Sequence, residues 1–276
     1  MIIWLDGTLR DAESSQVSVF DHGLTVGDGV FETLKAADGR AFAMTRHLAR
    51  LATSARLLGL PEPDLDEVRR ACAAVLDANP MPLGRLRVTY TGGIAPLGSD
   101  RGATTPTLVV ALAETSRRPD VTAAVTVPWT RNERGALAGA KSTSYGENVV
   151  ALAHAHKRGA TEALFANTVG ALCEGTGSNV FVVLDGELHT PPLSSGCLAG
   201  ITRALVLEWT GAKETDLPFD VLDRAEEVFL TSSLRDVQAV RALDGRQLPA
   251  APGPVTAKAM RVFDERSAAD PDPQTG

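Results

Sequence analysis

The chain is poor in several residue types and patterns. It has three cysteines, Cys72, Cys173 and Cys197, far apart and without CxxC spacing. An odd, scattered set is no disulfide framework, and a reduced, cytoplasmic setting is expected. No apolar run approaches the ~18 residues that a membrane-spanning helix needs. The opening MIIWLDGTLR lacks the basic start and long apolar run of a secretory signal. Positive charge is in the minority: 27 Lys and Arg face 34 Asp and Glu, a net charge of −7. That balance gives no general attraction for nucleic acid or an anionic membrane. His47, His154, His156 and His189 make no metal-ligand pattern with nearby Cys or carboxylates, so no metal is expected. There is no internal repeat of solenoid length. Lysine is scarce too, at five residues.

What remains is ordinary for a soluble globular protein: 276 residues, 44% hydrophobic and 22% charged. The length suits one large domain or two small ones. Asp-Gly pairs at 6–7, 38–39, 185–186 and 244–245 favour hairpin turns. Two of them have clear strands on both sides, in FETLKAADGRAFAM and NVFVVLDGELHT. RLRVTYTG, TPTLVVALAE and VTAAVTV also read as strands. TRHLARLATSARLLG has helical periodicity, with Thr45 as a candidate cap and Gly59 and Pro61 as stops. LDEVRRACAAVLDAN predicts a second helix, and two more are predicted near 145–158 and 202–210, the last closed by Gly211.

The polar ETSRRPD at 114–120 reads as a linker. The expected organisation is an N-terminal α+β domain over 1–113, that linker, and a second α+β domain over 121–265. The end, 266–276, is expected to be a disordered tail.

Within this frame one lysine stands out. Lys141 lies in LAGAKSTSYGENVV, among alanine, glycine and small hydroxyl residues. Ser144-Tyr-Gly-Glu147 has the form of a capping box, so a helix is expected to begin near Tyr145. A lysine against apolar surface near a helix N-terminus loses its proton more readily. A neutral amine is what a Schiff-base lysine requires. A plain surface lysine is the other reading of this segment. Further on, Glu174 sits in CEGTGSNVFVV between a strand and a glycine-rich turn, as a turn carboxylate or a buried partner. Gly200-Ile201-Thr202 opens a helix whose N–H groups can hold an anion such as phosphate, or whose Thr202 is an ordinary cap. Thr231, Ser232 and Ser233 bring three hydroxyls to the end of an apolar strand, for a phosphate or a turn.

Taken in order, GDGVFETL at 27–34, RHLARLATSARLLG, the lysine segment, EGTGSNVF, PPLSSGCLAGITR and VFLTSS resemble the class IV aminotransferases, the fold-type IV pyridoxal-phosphate enzymes. The likeness spans nearly the whole chain. It implies two α/β domains with largely antiparallel sheets, the second binding pyridoxal 5′-phosphate (PLP). By this resemblance Lys141 is the lysine that forms a Schiff base with the cofactor and moves the substrate proton. Glu174 faces the pyridine nitrogen and keeps it protonated. Arg50 binds the phosphate, which suits its fixed fork. Ile201, Thr202 and Ser233 add phosphate contacts, and Tyr145 reaches the ring oxygen. Branched-chain enzymes carry that tyrosine one residue further from the lysine.

Within the family, three features point to a 4-amino-4-deoxychorismate lyase, which eliminates pyruvate to give p-aminobenzoate for the folate pathway. The length is nearer to lyases and D-amino acid enzymes. Ser178 stands where branched-chain enzymes usually carry Glu, and Thr33 where they carry Gly. Against this, Thr91-Gly92-Gly93 replaces an arginine-containing loop that many of these lyases have. The alternative is an aminotransferase acting on D-amino, branched-chain or related amino acids with a 2-oxo acid acceptor. A cofactor-binding relative without catalysis is a third reading, which the presence of Lys141 and Glu174 disfavours. Arg87 is a candidate for the substrate carboxylate, or an ordinary strand arginine. Phe31 is a candidate pocket wall, or a core residue. The substrate is expected to be a small amine or amino acid, and the protein a homodimer.

Overall fold

The computed structural model describes residues 1–274. The chain divides into two compact units. The first comprises 1–117, 140–144 and 270–274; the second comprises 118–139 and 145–269.

The first unit runs β1 (Ile2–Leu5), β2 (Thr8–Asp11), α1 (His22–Thr25), β3 (Gly29–Ala37), β4 (Arg40–Ala41), α2 (Met44–Leu57), α3 (Leu65–Ala78), β5 (Leu83–Thr91) and β6 (Thr107–Glu114). Its six strands form one antiparallel sheet in the order β2-β1-β6-β5-β3-β4. Strand side chains alternate between faces. Val30, Leu34 and Ala36 of β3, with Leu86, Val88 and Tyr90 of β5, join the core under α2 and α3. The alternate positions, Phe31, Thr33, Arg87 and Thr89, share the other face, with Phe31 opposite Thr89 and Thr33 opposite Arg87. One sheet thus buries an apolar face and keeps a second face for chemistry.

The second unit runs β7 (Val121–Arg131), α4 (Gly146–His156), β8 (Glu162–Asn167), β9 (Leu172–Gly175), β10 (Asn179–Leu184), β11 (Glu187–Thr190), a 3₁₀ turn (Leu193–Ser195), α5 (Ile201–Thr210), β12 (Lys213–Glu214), α6 (Val221–Arg224), β13 (Glu227–Ser232), β14 (Asp236–Leu243), β15 (Arg246–Gln247) and α7 (Pro254–Ala269). Its sheet has the order β12-β11-β10-β13-β14-β7-β8-β9, with β15 paired to β14. Most pairs are antiparallel; β11–β12, β14–β7 and β7–β8 are parallel. Ala151 and Ala155 of α4 join Val125, Val127 and Phe165 in one buried apolar cluster.

All four Asp-Gly pairs close hairpins, with both residues at positive φ from 43° to 88°. Three sequence expectations fail, each for a local reason. Thr45 does not cap α2. The cap position is Ala43, and Asp272 takes the Thr45 N–H at 2.9 Å and its hydroxyl at 2.7 Å. Ser144 does not form the capping box before α4; its hydroxyl donates to the Gly27 carbonyl at 3.1 Å, and Tyr145 is the cap residue. The expected disordered tail is largely ordered. Residues 266–269 complete α7, and the Pro271 carbonyl accepts from Ala43 N–H at 2.8 Å. Residues 275 and 276 lie outside the described residues.

Candidate active site

Lys141 belongs to the first unit because its segment extends that unit's sheet. Ser142 bridges Val30, Phe31 N–H donates to the Lys141 carbonyl at 2.9 Å, and Thr143 N–H donates to the Gly29 carbonyl at 2.8 Å. The Lys141 N–H donates to the buried Ser54 hydroxyl of α2 at 3.1 Å. Backbone bonds on both sides fix where the side chain starts. Its Nζ lies 4.4 Å from the centroid of the Phe31 ring, and the Arg87 Cζ lies 3.4 Å from the same centroid. Arg87 Nε donates to Thr89 Oγ1 at 3.3 Å. Phe31 is therefore an aromatic platform that gathers a primary amine and a guanidinium. The core reading of Phe31 also holds in part, since its side chain is buried.

Behind this face lies a buried charged group that sequence reasoning missed. Glu32 is fully buried and accepts from Arg50 Nε at 2.8 Å and Nη2 at 2.7 Å. His47 Nδ1 is 2.6 Å from Oε2, the same oxygen that Arg50 Nη2 reaches. Burial pushes the Glu32 carboxyl up, but Arg50 and His47 outweigh it and hold it at about 2. Burial also depresses His47, against the pull of Glu32. Arg50, expected to face a phosphate, thus has part of its fork on Glu32. The signal was present in the sequence: Glu32 points to the helix side by strand alternation, where a carboxylate needs a cationic partner.

In the second unit, Glu174 lies on β9 with its side chain 14% exposed. Its Oε2 accepts the Leu198 N–H at 2.8 Å, and its Oε1 is 3.2 Å from Arg131 Nε. Although that distance is short, Arg131 Nε makes no aligned hydrogen bond. The turn after Glu174 is held from below by Glu162, which is buried and accepts from Thr176 N–H at 2.9 Å and from Ser178 Oγ at 2.8 Å. Ser178 is thus an anchoring hydroxyl, and Glu162 is a second residue that the motif reading missed. Tyr145, at the start of α4, is half-buried.

The start of α5 has the features expected of an anion cradle. The first N–H groups of a helix lack intrahelical acceptors, and Ile201 and Thr202 supply two of them. A side chain on Gly200 would drive into the Asn179 amide oxygen, so glycine here lets that amide lie against the start of α5. The Asn179 amide also holds the Leu198 carbonyl at 2.8 Å. Opposite Asn179 in the sheet stands Thr231, whose hydroxyl is buried and has no hydrogen-bond partner among the described residues. Ser233 lies just past the end of β13.

Comparison with known proteins decides the family. Residues 29–243 match the family of amino-transferase class IV. The chain belongs to the class IV aminotransferases. A putative branched-chain-amino-acid aminotransferase of Methanocaldococcus jannaschii is 34% identical over 256 residues, covering 89% of each chain. A bifunctional aminodeoxychorismate lyase / D-amino acid transaminase of Mycobacterium tuberculosis is also 34% identical, over 283 residues, covering 91% of this chain and 94% of that one. The PLP-bound form of a hypothetical aminotransferase from Mycobacterium tuberculosis superposes with a TM-score of 0.87 at 30% identity, covering 98% of this chain and all of the other.

This class IV aminotransferase is therefore an enzyme of the α+β, fold-type IV class, and PLP is its cofactor. Its own residues fit that group. The orphaned Thr231 hydroxyl and the open N–H groups of α5 suit a phosphate, and the Glu174 carboxylate suits a protonated ring nitrogen. Among the described residues, no helix is long and apolar enough to cross a membrane.

Proposed function

We propose that the enzyme is a 4-amino-4-deoxychorismate lyase, releasing pyruvate and p-aminobenzoate. The observation that carries this over a branched-chain transaminase is Thr33, opposite Arg87 in the β3–β5 ladder. Its side chain occupies ground beside Arg87 that glycine leaves open in the branched-chain pattern. A D-amino acid transaminase is the second reading, favoured by the relative that carries both activities in its name.

In this reading Lys141 is the catalytic lysine, and Arg50, Ile201, Thr202 and Ser233 hold the phosphate. Glu174 faces the ring nitrogen and Tyr145 the ring oxygen. When bound, the cofactor supplies a pyridinium that accepts negative charge from the carbon next to the substrate nitrogen. Lys141 Nζ takes the proton from that carbon, and its backbone bonds to β3 and Ser54 hold the amine to one approach. Arg87 takes a substrate carboxylate. Phe31 holds its ring against both the Lys141 amine and the Arg87 guanidinium.

The reading also takes the protein as a homodimer in the cytoplasm. Phe20, Leu24, Ile94 and Leu97 are exposed apolar residues. They lie on segments joined by the bond from Ala95 N–H to the Phe20 carbonyl, at 3.2 Å. Such a cluster suits an interface, and light scattering on the purified enzyme tests it. The reaction is tested by supplying 4-amino-4-deoxychorismate alone and, separately, amino donors with 2-oxoglutarate. Pyruvate with p-aminobenzoate from the first supports the lyase. Glutamate from the second, with none of those products from the first, replaces it by the transaminase.

A further inference from the structure

Arg131 takes no part in the reading above, yet it is built into the surroundings of Glu174. It is the last residue of β7, beyond an irregularity in the β7–β8 ladder between Thr126 and Thr130 that contains Pro128. Irregularities of this kind re-aim a side chain. The Arg131 guanidinium lies over the Phe165 ring of β8, 4.1 Å from its centroid. Phe165 is the residue opposite Glu174 in the β8–β9 ladder. The side chain therefore crosses one strand to reach the carboxylate on the next, with Nε at 3.2 Å from Oε1. Its Nη1 is 3.5 Å from Glu147 Oε2 in the first turn of α4, but Glu147 is 77% exposed and contributes little as a partner. Cys173 and Cys197 also neighbour Glu174, and burial pushes both thiols up, so they stay neutral.

We propose that Arg131 is a positioning residue that aims the Glu174 carboxylate at the ring nitrogen of the cofactor. The two Glu174 oxygens have different anchors, Arg131 for Oε1 and the Leu198 N–H for Oε2. Two anchors on two oxygens fix the carboxylate plane. A carboxylate offers about four lone-pair sites, so a further donor is still accepted. Arg131 Nε makes no aligned hydrogen bond, so its hold on Oε1 is a matter of charge and of stacking on Phe165. Lysine at this position keeps the charge and loses the flat stacked face. The proposal rests on the reading that Glu174 faces the ring nitrogen.

The test is a double-mutant cycle on cofactor binding, read by the dissociation constant of PLP and by the visible absorption of the bound cofactor. It uses Arg131→Met, Glu174→Gln and the double variant, with PLP and with its analogue carrying carbon in place of the ring nitrogen. Arg131→Met is expected to weaken PLP binding about tenfold and to shift the absorption band. In the Glu174→Gln background the same change is expected to have less than about a twofold effect. The analogue is expected to erase the effect of Arg131→Met as well. If Arg131→Met does not fold, Arg131→Lys enters the same cycle and is expected to weaken binding about threefold, again only with Glu174 present. A loss of equal size with and without Glu174 overturns the proposal and leaves the role of Glu174 standing. If Glu174→Gln binds PLP and the analogue as the unmodified enzyme does, the reading of Glu174 itself fails, and the proposal with it.

Discussion

Phe31 and Lys141 are joined twice. The Phe31 N–H donates to the Lys141 carbonyl at 2.9 Å, and the Phe31 ring lies 4.4 Å from Lys141 Nζ. Backbone and side chain of one residue thus set where the lysine begins and where it ends. Replacing Phe31 with Leu keeps the backbone bond and much of the buried volume but removes the π face. The expected outcome is a fall in kcat of about tenfold with a cost in stability below about 1.5 kcal/mol. Steady-state kinetics and a denaturant titration check the two halves separately.

Arg87 also meets that ring, with its Cζ 3.4 Å from the centroid. If it takes the substrate carboxylate, Arg87→Lys keeps the charge but loses the planar fork. A rise in KM of about tenfold is expected, with PLP binding unchanged. An unchanged KM returns Arg87 to the status of an ordinary strand residue.

Ser54 accepts the Lys141 N–H at 3.1 Å from within α2. Ser54→Ala leaves that donor without its acceptor at a part-buried position. A loss of about 1–3 kcal/mol in stability is expected by chemical denaturation.

The buried Glu32 predicts an acid limb. Its carboxyl is held at about 2 in the folded chain, against 4.5 for the ordinary group. Between those values the unfolded chain binds the proton that the folded chain refuses. The stabilisation is therefore complete above 4.5 and is lost as pH falls towards 2. His47, depressed by burial below 6.5, acts in the same direction from a higher pH. Glu32→Gln should flatten the limb below 4.5 and cost about 3–5 kcal/mol near neutrality, because Arg50 then lacks its buried partner. Melting temperature against pH for the two proteins measures both effects.

The three cysteines are free and buried, and burial pushes the Cys72 thiol up to about 12. A thiol reagent at neutral pH should label none of them quickly in the folded enzyme and all of them after denaturation. Fast labelling of one in the native state would mean that its surroundings open.

Much of this was legible in the sequence, for identifiable reasons. The Asp-Gly turns were readable because the left-handed conformation restricts residue choice at each one. α3 was read from LDEVRRACAAVLDAN alone, and the structure adds a local cap, Asp64 accepting from the N–H groups of Asp66 and Glu67. The failures came where a distant group replaced a local one. Thr45 is bonded by Asp272, and Ser144 by the Gly27 carbonyl. Both partners lie more than a hundred residues away, and no local pattern announces them. The same holds for the candidate site. Lys141, Glu174 and the Gly200-Ile201-Thr202 turn carry motifs that can be read along the chain. Glu162 and Arg131 act through pairing across strands, so they became visible only once the ladders were known; strand alternation marks Glu32 as facing the helices, but not which α2 residues meet it.

The central claim is that Lys141, among five lysines, is the one that bonds to the cofactor. Borohydride reduction of the PLP-loaded enzyme, followed by peptide mass mapping, tests it most directly. A reduced cofactor adduct is expected on the peptide containing Lys141, and it should disappear in Lys141→Ala together with the visible absorption band. An adduct on Lys35, Lys157, Lys213 or Lys258, or an unchanged adduct in Lys141→Ala, would contradict it.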